Sequence, residues 1–119
     1  MWLVTTRGFF SVVQHFDDAE KVLIRARALE DLESLCELAE EVLDDASESG
    51  LSADAIIEME EADYRYRLIA DGEAWAEVVR ALTAEVTYPN FKSAVTERDP
   101  DRAHIYTEVW ATLLQIQRD

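Results

Sequence analysis

Two periodicities alternate along the chain. Trp2 to Thr6 and Phe9 to His15 are rich in aromatic and β-branched residues, the composition of half-buried strands, with Arg7-Gly8 between them as a tight turn or bulge. Either a hairpin or one long bent strand satisfies that pattern. Phe16 to Glu20 is polar and reads as a turn. Lys21 to Ala28 resumes as a strand in which Val22, Ile24 and Ala26 alternate with Leu23, Arg25 and Arg27. A period of two puts both arginines on one face. The Val12 and Ile24 regions are natural antiparallel partners.

From Leu29 to about Ser47 the spacing changes to Leu32, Leu35, Cys36, Ala39, Val42, Leu43 and Ala46, the apolar stripe of an amphipathic helix. Asp44 and Asp45 would then sit at the negative end of the helix dipole, an arrangement that invites a cation. Ser47 to Gly50 has loop composition. Asp54 to Glu60 is a strand of mixed propensity. Tyr64 to Ala70 is a stronger one, with Tyr64, Tyr66 and Leu68 alternating with Arg65, Arg67 and Ile69. Asp71 caps a second helix whose stripe is Trp75, Val78, Val79, Leu82 and Val86. Tyr88 to Lys92 breaks it, because proline disfavours helical backbone in the residue before it. Asp99-Pro100 supplies a cap and a first-turn proline for a third helix, striped by Ala103, Tyr106, Val109, Trp110 and Leu113. Trp75 and Trp110 both read as core.

Strand pairs followed by helices predict an α+β two-layer sandwich: an antiparallel sheet with helices on one face, ferredoxin-like or a duplicated ββα unit, plus a C-terminal helix. At 119 residues the chain is expected to be a single domain, 1–119. Such a sheet keeps an uncovered face or edge, so a homodimer is an expectation.

Charge changes the picture. The net charge is −15, and residues 28–64 hold 14 of the 26 acidic residues with no Lys or Arg, while the other 12 face all 11 basic ones. One acidic segment on a near-neutral body makes a one-sided field that favours a basic partner surface and disfavours direct nucleic-acid binding. The stretch with most of that charge carries Glu33, Glu37, Glu40, Glu41, Asp44 and Asp45, the expected partner-facing residues if the protein is an interaction module, a nucleic-acid mimic or inhibitor. No apolar run is long enough to cross a bilayer and the start lacks a secretory signal, so no membrane partner and a cytoplasmic location are expected. The single cysteine, Cys36, excludes an internal disulfide framework and a thiolate zinc site.

Several segments carry a family likeness: Met1-Trp2 with Gly8-Phe9-Phe10-Ser11-Val12-Val13, Arg25-Ala26-Arg27, Asp63-Tyr64-Arg65-Tyr66-Arg67, Tyr88-Pro89-Asn90-Phe91-Lys92, and His104, Tyr106, Val109-Trp110. Through them, across nearly its whole length, the chain resembles a family of short uncharacterised bacterial, mostly actinobacterial, and phage-borne proteins. The resemblance implies no activity and carries over no catalytic residues. The acidic segment falls between the matching motifs.

The chemistry that stands out is cationic. Nine of the 11 basic residues are arginine, the side chain suited to bidentate contacts with phosphate or carboxylate. If the strands bearing Arg25, Arg27 and Arg67 are neighbours, their guanidinium groups converge, and the Tyr88 to Lys92 loop adds the Asn90 amide, an aromatic face and the Lys92 ammonium, with Tyr106 in the same set and Phe91 or a tyrosine available to stack on a base. That set is expected to bind an anionic ligand, a nucleotide or a phosphorylated metabolite. The competing expectation is that these arginines, with Arg65, pair with the acidic helix and Asp63 to lock the sheet. His15, Asp17, Asp18 and His104 match no defined metal spacing, and no metal or cofactor is expected. Cys36 falls on an apolar stripe and no nucleophile motif surrounds Ser11, so no catalytic residue is assigned.

Overall fold

The alternation of the first 26 residues becomes three antiparallel strands, β1 (Trp2–Thr5), β2 (Gly8–Gln14) and β3 (Lys21–Ala26). The computed structural model describes residues 1–117, which form two compact units, Met1–Val86 and Thr87 onward. In the first unit α1 (Leu29–Val42) follows β3, then a 3₁₀ turn at Ala53–Ala55, β4 (Ile57–Glu58), β5 (Tyr66–Asp71) and α2 (Gly72–Ala84). The five strands lie in the order β1-β2-β3-β5-β4, every neighbouring pair antiparallel. Two hairpins, β2–β3 and β4–β5, therefore sit side by side, each followed by a helix, with β1 added at one edge. This is the duplicated ββα arrangement.

One face of the sheet carries Phe10, Val12, Ile24, Ala26, Leu68 and Ala70, all buried. Leu32, Leu35, Cys36 and Ala39 of α1 and Trp75, Val78 and Leu82 of α2 pack into the same core. Each such large side chain contributes about 1.5–3 kcal/mol on burial, which is why two amphipathic helices suffice to cover this face.

Two contacts at the start of β2 tie the layers together. Gly8 has φ +152°, and a Cβ there would overlap the carboxyl group of Asp31. That buried carboxylate accepts the Phe9 N–H through Oδ2 at 3.0 Å. Arg7, in the β1–β2 turn, donates Nε and Nη2 to the two carboxylate oxygens of Glu85 at 2.8 and 2.7 Å, and Nη1 to the Ser34 carbonyl at 2.8 Å. The turn is thereby fastened to α1 and to the end of α2. The bond to Glu85 raises the pKa of the Arg7 guanidinium.

Several boundaries differ from those read in the sequence. The first helix ends at Val42, because Leu43 turns to extended backbone (φ −102°, ψ 145°). Asp44 and Asp45 thus lie beyond the helix rather than on it. Its last turn holds no basic residue to offset further carboxylates at the negative end of the dipole. Leaving the helix also lets Ala46 and Leu51 become buried. The 54–60 strand shrinks to two residues, and Tyr64 precedes β5 instead of belonging to it. Asp71 occupies the N-cap of α2 without capping it, since its carboxylate accepts from Lys21 Nζ at 2.9 Å. Val86 falls past the helix end and is exposed.

The second unit is a helix pair, α3 (Phe91–Arg98) and α4 (Pro100–Leu113), ending in a 3₁₀ turn at Leu114–Ile116. α3 lies where the sequence reads only a break: the chain does break at Tyr88-Pro89, but Asn90 Oδ1 accepts the Ser93 N–H at 2.8 Å and starts a new helix. α4 begins where Asp99-Pro100 places it, with Asp99 Oδ1 accepting the Arg102 N–H at 3.0 Å. Its apolar stripe is not core as expected. Ala103 is buried, whereas Trp110 is 67 % exposed and Val109 and Leu113 are also exposed. At about 12 Å, α3 is too short to cover the roughly 21 Å of α4. No helix among the described residues is long and apolar enough to cross a membrane.

Candidate functional site

The sheet face turned away from α1 and α2 carries an unusual row. Register pairs join Trp2 to Ser11, Ser11 to Arg25, Arg25 to Arg67, and Arg67 to Ile57, so one line of side chains crosses all five strands. Its centre is Arg25 on β3. Arg25 Nη2 donates to Ser11 Oγ at 2.7 Å, and its Nε is buried with no hydrogen-bond partner among the described residues. The guanidinium carbons of Arg25 and Arg27 lie 4.7 and 4.6 Å from the centroid of the same ring, Tyr64. Arg27 Nη1 donates to the Asp63 carbonyl at 2.7 Å. Arg67 Nε donates to the Tyr64 carbonyl at 3.3 Å, and Arg67 Nη2 stands 3.6 Å from Asp63 Oδ1, a largely exposed carboxylate.

Electrostatically this is a frustrated arrangement. Like charges directly opposite on neighbouring strands destabilise a sheet, and Arg25 faces Arg67. Elsewhere the many carboxylates do neutralise cations: Arg65 meets Glu58 at 2.8 Å and Glu60 at 3.1 Å, and Lys21 meets Asp71 at 2.9 Å. Of the pairing expected with the acidic helix and Asp63, the Asp63 contact is present at Arg67, whereas Arg65 pairs with Glu58 and Glu60 instead. Among the described residues Arg25 and Arg27 have no ion pair, and Arg67 has only Asp63. The acidic helix does not supply them, because α1 packs on the opposite face of the sheet.

The structure brings Arg25, Arg27 and Arg67 together. Asn90, Lys92 and Tyr106 belong to the second unit. There the Asn90 oxygen is engaged as the α3 cap, Lys92 is exposed in the first turn of α3, and the Tyr106 ring stacks on Phe91 at 5.9 Å. Arg102 Nη1 donates to Tyr106 Oη at 3.3 Å. Glu33, Glu37, Glu40 and Glu41 are exposed on α1, Asp44 and Asp45 follow it, and none of the six forms an ion pair among the described residues. Asp45 Oδ1 accepts the Glu48 N–H at 2.9 Å.

Among the described residues no group of three or more His, Cys, Asp or Glu side chains is arranged to hold a metal ion. His15 Nδ1 accepts the Asp17 N–H at 3.2 Å and the imidazole stacks on Phe16. His104 stands 3.7 Å from Glu108 on the same helix. Burial pushes the Cys36 thiol up to about 11, so it is a protonated core side chain at neutral pH.

Trp2, Phe9, Ser11 and Tyr64 stand in the sequence as strand or motif residues and not as part of a binding site. Trp2 packs edge-on against Phe9 (5.7 Å, 89°), and Phe9 is tilted against Tyr64 at 6.4 Å. The available signal was that Phe9-Phe10 and Val12-Val13 make β2 apolar on both faces, unlike a strand with one wetted side. No family model matches the chain, and no match was found among curated proteins or solved structures.

Proposed function

We propose that this protein is a non-enzymatic binding module that holds a phosphorylated small molecule on the open face of its sheet, through Arg25, Arg27 and Arg67. The observation that carries this reading is the cross-strand pair Arg25–Arg67, two like charges in register with no carboxylate at Arg25 among the described residues. A sequence with 26 acidic residues has ample means to neutralise such a pair. Local conflict retained against that background marks a site that acts on something outside the chain. An oxyanion resolves the conflict: guanidinium groups bind phosphate through paired charge-assisted hydrogen bonds, and three of them around one anion remove their mutual repulsion.

The test is a thermal-shift titration at low salt with inorganic pyrophosphate and sugar phosphates. A ligand at about 100 times its dissociation constant adds about 2.7 kcal/mol, several degrees for a chain of this size. The shift is expected to vanish in Arg67→Ala while the ligand-free melting temperature holds. A wild-type protein that does not shift, or an Arg67→Ala variant that only melts earlier, rejects the reading. The alternative, an acidic module for a basic protein surface, draws on six carboxylates in and after α1 that form no ion pair among the described residues. It predicts salt-sensitive association that is lost when Glu37, Glu41 and Asp44 are reversed to lysine.

A further inference from the structure

The arginines leave one feature of the same row unexplained. Trp2 heads it and is 71 % exposed, one of the largest apolar surfaces a side chain can offer to water. Its indole is held by the edge-on contact with Phe9, and Phe9 leads on to Tyr64, the ring that Arg25 and Arg27 share. Aromatic platform and cationic cluster are therefore continuous. With strands about 4.8 Å apart, the Trp2 backbone stands roughly 10 Å from that of Arg25 and 14 Å from that of Arg67. A sugar phosphate or inorganic anion engages the arginines alone and makes no use of Trp2. A ligand with a planar ring at one end and phosphates at the other makes use of both.

We infer that the ligand is a nucleoside diphosphate, with its base stacked on Trp2 and its phosphates on Arg25, Arg27 and Arg67. This rests on the anion-binding reading above and adds the base. Stacking is tolerant of base identity, since every base has a π face, so adenine and uracil nucleotides both bind. The row reads charge and aromaticity along one line, base at the β1 edge and phosphates toward β5.

The experiment compares ADP, UDP and inorganic pyrophosphate by calorimetry at low salt, with indole fluorescence read in a Trp110→Phe background, where Trp75 is buried and Trp2 is the exposed indole. ADP is expected to bind about tenfold more tightly than pyrophosphate, within the range that stacking one base on an aromatic side chain supplies, and to quench the Trp2 emission. Trp2→Ala brings ADP down to the pyrophosphate affinity and leaves pyrophosphate binding unchanged. Trp2→Phe restores most of the difference. Equal affinities for ADP and pyrophosphate in the wild type, or a Trp2→Ala variant that weakens both alike, overturn the inference and leave the anion-binding reading standing. If neither ligand binds, both fall together.

Discussion

Replacing Arg7 or Arg25 by methionine separates an arginine that builds the fold from one that is held ready for a ligand. Arg7 makes two bonds to the Glu85 carboxylate and one to the Ser34 carbonyl, and the Arg7 and Glu85 side chains are only 13 % and 33 % exposed. Removing one partner of a fully buried pair costs about 3–5 kcal/mol. An exposed pair is worth about 1 kcal/mol or less. With Glu85 a third exposed and able to regain water, Arg7→Met is expected to cost about 2–3 kcal/mol. Arg25→Met gives up the bond to Ser11 and the stacking on Tyr64, together about 2 kcal/mol. It also removes the unpartnered buried Nε and the repulsion from Arg67, which offset that loss by a similar amount. The net change is expected to lie within about 1 kcal/mol of zero. Urea denaturation reads both. At a slope of about 1–1.5 kcal/mol per molar, the midpoint falls by roughly 2 M in Arg7→Met and by less than 1 M in Arg25→Met. If the two variants lose equal stability, Arg25 is a structural residue and the argument from frustration is wrong.

Other expectations are sharper on single positions. Gly8→Ala should destabilise by about 3 kcal/mol, since the positive φ and the Asp31 carboxyl both exclude a Cβ; a loss below about 1 kcal/mol by the same assay contradicts this account. Cys36 should resist thiol reagents in the native state. Its thiol titrates near 9 when unfolded and near 11 when folded, so its contribution is complete below pH 9 and is lost as the pH rises toward 11. That loss is about 2–3 kcal/mol in urea midpoints taken across the window, and Cys36→Ala should remove it. Asn90→Ala should cost α3 about 1 kcal/mol, seen as faster amide exchange in that helix, with pyrophosphate affinity unchanged.

Periodicity located most elements because the faces of a helix or strand are a local property. The stripe Leu32, Leu35, Cys36 and Ala39 is buried as its spacing implies, and the Asp99-Pro100 signal starts α4 where it stands. Where a boundary depended on a distant partner, local reading failed. Leu43 leaves the helix so that Ala46 and Leu51 join a core built from remote segments, and the apolar stripe of the second half of α4, Val109, Trp110 and Leu113, is exposed rather than buried. The arginines show the same division. Alternation placed Arg25 and Arg27 on one face, but nothing in the spacing revealed that Tyr64 would reach both rather than continue its strand.

By itself, then, the order of residues determined the α+β class, the apolar faces, an acidic segment and a supply of arginines, because composition and period are read within a few residues of each position. Only the tertiary structure decided which charges meet. Pairing β3 with β5 puts Arg25 opposite Arg67, pairing β1 with β2 brings Trp2 onto the same row, and packing α1 on the far side of the sheet keeps its carboxylates away. Arg7 finds Glu85 across 78 positions of sequence for the same reason. Coulomb energy and hydrogen bonding depend on distance in space, and strand order sets that distance between residues whose separation along the chain carries no trace of it.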